Sequence, residues 1–355
     1  MSVPFFDMAA EIASVRTEID AAIARVLDSG VLIGGEEVAA FERELAVAVG
    51  VTHAVGMSSG TDALHVLAMA LDISAGDEVV TTPLTFFATA GAFARLGARI
   101  VFADVDDSTL TLDPIAAQSV CSSRSRAIVP VHLFGHPADL PAVSCPIIED
   151  AAQSIGGGAL RGLAAAFSFF PTKNLGAIGD AGAVVTNDAM LADRVALLRT
   201  QGARPKYHHL AIGGNFRIDS LQAAVLRAKL AHLGQRTSAR RARAERYHKI
   251  FEAAHVPSEL RLPVPHPAHM YHQFVIRAPR RDELRRQLAS HGIATEVYYP
   301  EPLHLQPCLE QLGYRRGSFP NAERACNEVL ALPIQPSLSE DTQVQVVEMI
   351  AGFFR

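Results

Sequence analysis

Between His53 and Thr186 the chain repeats one pattern, a short apolar run followed by a stretch of helical periodicity. The runs are Ala54–Met57, Val79–Thr82, Ile100–Val105, Ala127–Leu133, Ile147–Asp150, Ala165–Phe170 and Gly182–Thr186. None of them alternates apolar with polar residues. A strand that is apolar on both sides needs cover on both faces, and strands separated by helices return in the same direction. The expected fold is therefore α/β, a mainly parallel seven-stranded sheet between helical layers. Ligands of such sheets sit beyond the carboxyl ends of the strands, so the polar residues that follow each run are the ones that carry chemistry.

Those residues form a coherent set. Ser58-Ser59-Gly60-Thr61 leads from the first run straight into a helix with Leu64, Leu67 and Leu71 facing inward. The free amides of a first helical turn attract an anion such as phosphate; the same serines and threonine also read as plain caps. Phe86, in TFFAT, stands where a ring either faces a ligand or turns into the core. Asp150, after Glu149, closes a strand that opens with Ile147-Ile148, where a carboxylate is costly without a cationic partner. A lone Lys173 lies in AAAFSFFPTKNLGAIGDAGAVVT, residues 164–186, with Arg161 and Arg194 the nearest cations on either side. It is either a surface lysine or one held at the end of a buried strand. Desolvation in the second case lowers its pKa and frees an amine nucleophile. An anion site, a ring, a carboxylate for a protonated ring nitrogen and an imine-forming lysine are together what pyridoxal phosphate requires.

Bulk properties set the context. A chain of 355 residues, 49% apolar and 19% charged, supports a large core and is not disordered. Its net charge of −5 argues against a nucleic-acid surface, and the basic run Arg236–Lys249 reads as the solvated face of a long helix. Four cysteines without a CxxC pair fit reduced thiols in a cytoplasmic protein, with no metal site expected. No leader and no run of membrane-span length is recognisable, so no membrane partner is expected. Helices are expected over residues 1–30 and Glu36–Val49. After Gly234 the pattern changes to a basic helix near 236–254, a proline-marked linker, a strand at Tyr271–Arg277, a helix at Arg281–His291, a strand at Thr295–Tyr299 and a closing helix at Thr342–Phe354. The expected division is a large domain, 1–235, and a smaller α+β domain, 236–355.

Eight segments carry a resemblance. They are SSGTDAL (58–64), GDEVVTTPLTFFAT (76–89), VFADVD (101–106), PVHLFGHPADL (130–140), IIEDAAQS (147–154), AFSFFPTKNLGAIGDAGAVVT (166–186), GGNFRIDSLQAAVL (213–226) and YYPEPLH (298–304). In this order they resemble the DegT/DnrJ/EryC1/StrS family of sugar aminotransferases, fold type I enzymes of pyridoxal phosphate. The resemblance implies that Lys173 forms the imine with the cofactor and then carries the proton. It implies Asp150 on the pyridine nitrogen, Gln153 near the ring hydroxyl and Phe86 stacked on the ring. Ser59, Gly60, Thr61 and Ser168 fall on the phosphate side, and Asn215 reaches the phosphate of a neighbouring subunit, making an obligate homodimer with shared sites. Ile33, His208, His209, Tyr298 and His304 fall on the substrate side, although the two histidines read equally well as exposed loop residues.

The implied reaction moves an amino group from L-glutamate, through the pyridoxamine form of the cofactor, to a dTDP- or UDP-linked keto-hexose. KYHH and GGNFRID resemble members that aminate C3. A sugar phosphate or free keto-sugar is the alternative acceptor, and a non-catalytic binding or regulatory protein is the alternative class. The chain departs from the pattern in its abbreviated GGGALRGL turn, in Tyr298-Tyr299-Pro300 for His-Tyr-Pro, and in NFRIDS for NSRLDE. Branches that dehydrate their sugar carry histidine in place of the lysine, and Lys173 sets this chain apart from them.

Overall fold

The seven apolar runs become β1 (His53–Met57), β2 (Glu78–Thr81), β3 (Arg99–Phe102), β4 (Ser125–Val129), β5 (Ile148–Asp150), β6 (Ala164–Ser168) and β7 (Gly182–Thr186). In the computed structural model, which describes residues 2–355, the ladders run β3-β2-β4 and β5-β6-β7-β1. Parallel bridges Ile128–Ile147 and Val131–Asp150 join β4 to β5, which makes one seven-stranded sheet. Only β7 runs antiparallel to its neighbours; the other ladders are parallel. As a result the ends of β1, β2, β5 and β6 and the start of β7 share one edge.

The absence of alternation has the expected cause. Along β6, Ala164 and Ala166 pack into one core and Ala165 and Phe167 into another, and β7 divides in the same way. One face is covered by α4 (Gly60–Ala70), α5 (Ala88–Ala94) and α7 (Ala189–Leu198), with Leu64, Leu67, Phe93 and Val195 inside. The other is covered by α3 (Gly35–Val49) and α8 (Ser220–Leu230), with Phe41, Leu45 and Leu226 inside. Each such fully buried side chain contributes about 2–3 kcal/mol. The remaining helices of this part are α1 (Met8–Ala13), α2 (Arg16–Ser29) and α6 (Pro114–Ser119). The stripe expected as one N-terminal helix is thus two, parted at Ser14 and Val15.

Beyond it lie α9 (Leu233–Ala253), β8 (Phe274–Arg277), α10 (Arg281–Ser290), α11 (Pro320–Glu328), β9 (Val329–Leu332) and α12 (Glu340–Phe354). β8 and β9 pair antiparallel over a core of Tyr247, Phe251, Phe274, Leu330, Val347 and Ile350. The strand expected at Thr295–Tyr299 reduces to a single bridge, Glu296–Ala331, because the backbone leaves the ladder to carry the tyrosines toward the large sheet. The basic run of α9 is also less solvated than its composition implies. Arg240 is buried and donates to the carbonyls of Tyr271, His272 and Ile334 at 3.1–3.3 Å, while Arg236 binds Glu11 and the Ser14 hydroxyl. Among the described residues no helix is long and apolar enough to cross a membrane.

The segment after β3 clasps the C-terminal elements. Asp104 accepts the amides of Asn321 and Ala322 at the start of α11, at 3.0 and 2.9 Å. Asp107 accepts from Arg277, Arg324 and Arg261 at 2.8, 2.8 and 2.7 Å. Partial burial alone would raise the Asp107 pKa, but the three guanidinium groups hold it well below the usual carboxylate range. Asp107→Ala is expected to lower unfolding stability at pH 7 by about 1–2 kcal/mol, a figure reduced for its partial exposure. Because the folded pKa is depressed, the contribution is complete above pH ~4 and fades as pH falls further. Urea titrations of both proteins at pH 7 and pH 3 check this: the gap should narrow at the lower pH.

Candidate active site

β5 ends in two carboxylates on opposite faces, as strand geometry demands. Glu149 is spoken for. His132 donates from Nε2 at 2.7 Å and the Arg161 amide donates at 2.7 Å, while His132 Nδ1 accepts from the Ala138 amide at 3.0 Å. Asp150 faces the side where the strand ends converge. Thr89 Oγ1 donates to its Oδ2 at 2.7 Å and the Ala152 amide to its Oδ1 at 3.2 Å. Burial pushes the Asp150 pKa up, and Thr89 and the charge of Lys173 work against that rise.

Lys173 lies in the loop between β6 and β7. Desolvation pulls its ammonium down to about 8, and the Asp150 carboxylate, close enough for the two charges to act on each other, opposes the fall. The loop is held from both sides. Asn174 donates to the Met270 carbonyl at 3.1 Å and meets His272 Nδ1 at 3.2 Å. The buried Lys229 of α8 donates to the Gly176 carbonyl at 2.6 Å, and Gln222 accepts the Ile178 amide at 3.0 Å. The amine is therefore presented on a fixed backbone.

Beside this pair lies a cradle. Ser59 caps α4 by accepting the Asp62 amide at 3.0 Å, which leaves the Gly60 and Thr61 amides without partners inside the helix. A Cβ on Gly60 would stand 2.7 Å from Ser168 Cβ, and one on Gly182 would stand 2.4 Å from the Ser59 carbonyl. Two glycines thus let the start of α4 rest directly on β6 and β7, with the Ser168 side chain beside it. The arrangement suits a small anion held by amides and a hydroxyl.

Phe86 is 59% exposed, so it does not take the core position open to it. Its ring stands 6.4 Å from that of Tyr299. Gln153 accepts the Phe134 amide and meets the Tyr299 hydroxyl; burial, then the Asp150 charge, pushes the Tyr299 phenol up. Here the structure corrects the sequence reading. Tyr299 enters the site, whereas Tyr298 packs on Phe5 and contacts Gln273. His304 is corrected as well. It is 2% exposed, bonded to Glu323 at 3.1 Å and edge-on to Phe319, a histidine fixed in the interior rather than one facing substrate.

Asn215 and Ile33 line a cleft of about 320 Å³ with Ser58, Asp180, Arg217 and Gln222, immediately beside the cradle. His208 and His209 are exposed on the loop before it, His209 held by the Gln201 carbonyl at 2.8 Å; neither meets the Asp150–Lys173 pair in a hydrogen bond. Thr89 and Asn174 are not singled out by the sequence, and Tyr299 is marked there only as part of the YYPEPLH segment. Of the first two, only Thr89 had a signal, as the second threonine of TFFAT four residues after Thr85.

A profile described as the DegT/DnrJ/EryC1/StrS aminotransferase family matches residues 13–351. The chain belongs to that family. The chain is 43% identical to the "Pleiotropic regulatory protein" of Geobacillus stearothermophilus, over 100% of this chain and 99% of that one. It is 42% identical to the dTDP-3-amino-3,4,6-trideoxy-α-D-glucose transaminase of Streptomyces venezuelae, over 98% and 95%. The crystal structure of S. venezuelae DesV in complex with a ketimine intermediate superposes with a TM-score of 0.94 at 41% identity, over 100% and 99%. The fold is that of the pyridoxal phosphate-dependent aminotransferases, and the chain is such an enzyme. The residues fit that cofactor: a glycine-permitted anion cradle, a buried carboxylate and a desolvated amine lie together at one sheet edge.

The low lysine pKa is directly testable. Labelling the cofactor-free protein with a small amine-directed acylating reagent across pH 6–11, read by peptide mass mapping, should give Lys173 a midpoint near 8. In Asp150→Asn the midpoint should move lower, since the lost charge no longer favours the ammonium.

Proposed function

We propose that this aminotransferase transfers an amino group from L-glutamate to the C3 ketone of a sugar carried on a nucleoside diphosphate. The observation that carries the reading is the pairing of desolvated Lys173 with buried Asp150 beside the α4 cradle. The nucleotide-sugar class is supported by relatives named for transamination at C3 of dTDP- or UDP-linked sugars.

Pyridoxal phosphate, when bound, supplies an electron sink for negative charge on the carbon next to the amine. The Gly60 and Thr61 amides and the Ser168 hydroxyl would hold its phosphate. Asp150 would keep an anion against the ring nitrogen, while Phe86 and Tyr299 would flank the ring and exclude water, with Gln153 placed between Tyr299 and the Phe134 turn. Lys173 moves the proton. Near neutrality a lysine with a pKa of about 8 holds a useful share of free amine, so its Nζ takes a proton from the amino-bearing carbon and returns one as the ammonium.

We take residues 1–235 as the cofactor-binding part and 236–355 as the smaller part that brings Tyr299 over it. A homodimer would complete the site: Asn215, Ile33, Phe87, Phe170 and Ile178 are all exposed and would meet a second copy, whose Asn215 would reach this subunit's cradle. His208 and His209 would approach the substrate diphosphate across the same interface.

Lys173→Ala is expected to lose at least about a thousandfold in turnover and to leave no borohydride-reducible link to the cofactor; retained turnover overturns the assignment. A glutamate-coupled assay with 3-keto and 4-keto sugars, each free, phosphorylated or nucleotide-linked, should favour the 3-keto nucleotide sugars. Sharing is tested by mixing. Lys173→Ala and Asn215→Ala subunits, dissociated and recombined in equal amounts, should regain about a quarter of wild-type sites, because half the random dimers carry one intact site. No regain would place Asn215 in its own subunit's site.

A further inference from the structure

Asp150 is buried and ionisable, and one of its two oxygens depends on a side chain that the reaction does not otherwise use. Thr89 Oγ1 lies 2.7 Å from Asp150 Oδ2, and Thr85 Oγ1 lies 2.8 Å from Thr89 Oγ1. Both threonines are buried, Thr89 completely. The direction of the chain follows from proton counting. An ionised carboxylate only accepts, and a hydroxyl has one proton to give. Thr89 therefore donates to Asp150, and its oxygen is left to accept from Thr85. Two hydroxyl dipoles end head-on at the carboxylate among buried groups, where each bond strengthens the next.

We propose that Thr85 and Thr89 are positioning residues that keep Asp150 ionised and in one orientation, ready to accept a cationic ring N–H. The inference rests on the assignment of Asp150 to the cofactor ring. Its physical content is that Asp150 has few other means of staying charged. The Ala152 amide reaches only Oδ1, and from the longer distance of 3.2 Å. Burial favours the protonated acid, and a protonated Asp150 offers a ring cation no counter-charge. Lys173 cannot serve as the permanent partner, since its proton comes and goes during turnover. The Thr85–Thr89 pair, with the longer bond from the Ala152 amide, supplies positive potential that turnover leaves untouched.

The test measures pyridoxal phosphate affinity of the cofactor-free protein by equilibrium dialysis, with folding checked by circular dichroism. Thr89→Val keeps the shape and removes the hydroxyl; it should bind at least about tenfold more weakly, the usual effect of losing a hydrogen bond to a charged group. Thr89→Ser keeps the hydroxyl and should bind within about threefold of wild type. Thr85→Val, acting only through Thr89, should weaken binding by a smaller factor, and Thr85→Ser should not. Wild-type affinity in Thr89→Val overturns the proposal, as does a Thr89→Ser as weak as the valine variant, which would make the methyl group the operative feature. Should Thr89→Val fail to fold, the Thr85 pair decides: equal affinity of its valine and serine variants overturns the relay. Asp150→Asn binding as tightly as wild type would instead remove the underlying assignment, a distinct result.

Discussion

The structure depends on placing a buried acid beside a largely desolvated amine. Removing either charge from solvent is unfavourable alone, and each makes the other tolerable. Burial raises the Asp150 pKa and lowers that of Lys173, and each charge restrains the other's shift. This is a useful condition for a group that must give and take a proton near neutral pH. The sheet exists to impose it. β5 delivers the carboxylate, β6 delivers the loop of the amine, and the parallel ladder between them fixes their spacing by backbone hydrogen bonds.

Holding that arrangement takes more of the chain than the site itself. Lys229 and Gln222 grip the lysine loop from α8, and Met270 and His272 grip it from the C-terminal part. Asp104 and Asp107 bind the C-terminal elements to the edge of the sheet at β3. Tyr299 comes from that same C-terminal part, so the ring opposite Phe86 is only as well placed as the clasp allows. Interactions far from Lys173 thus decide how closed its surroundings are.

Much of this was legible in the sequence because burial on two faces writes a strong signal. The seven runs lacked alternation, and the sheet is covered on both sides. Asp150 and Lys173 stood out because a charge at the end of an apolar run needs a reason. β9 was not legible, since Val329–Leu332 follows α11 with no turn residue between them. Nor was the choice between Tyr298 and Tyr299, because in an irregular segment no periodicity says which neighbour points inward. His304 misled for a related reason: its partner Glu323 lies nineteen residues away, beyond any local pattern. Arg240 misled in the opposite sense, as a basic residue inside a basic run that nevertheless satisfies three buried carbonyls.

Lysine scarcity has a consequence of its own. The chain has four lysines among its 32 lysines and arginines, and Lys229 is sealed inside the protein. An aldehyde arriving from solution adds to any free amine, whereas an arginine stays protonated and does not compete. Only Lys206 and Lys249 are exposed as decoys. A surface built this way takes its solubility from guanidinium groups and leaves an incoming carbonyl compound few wrong places to react.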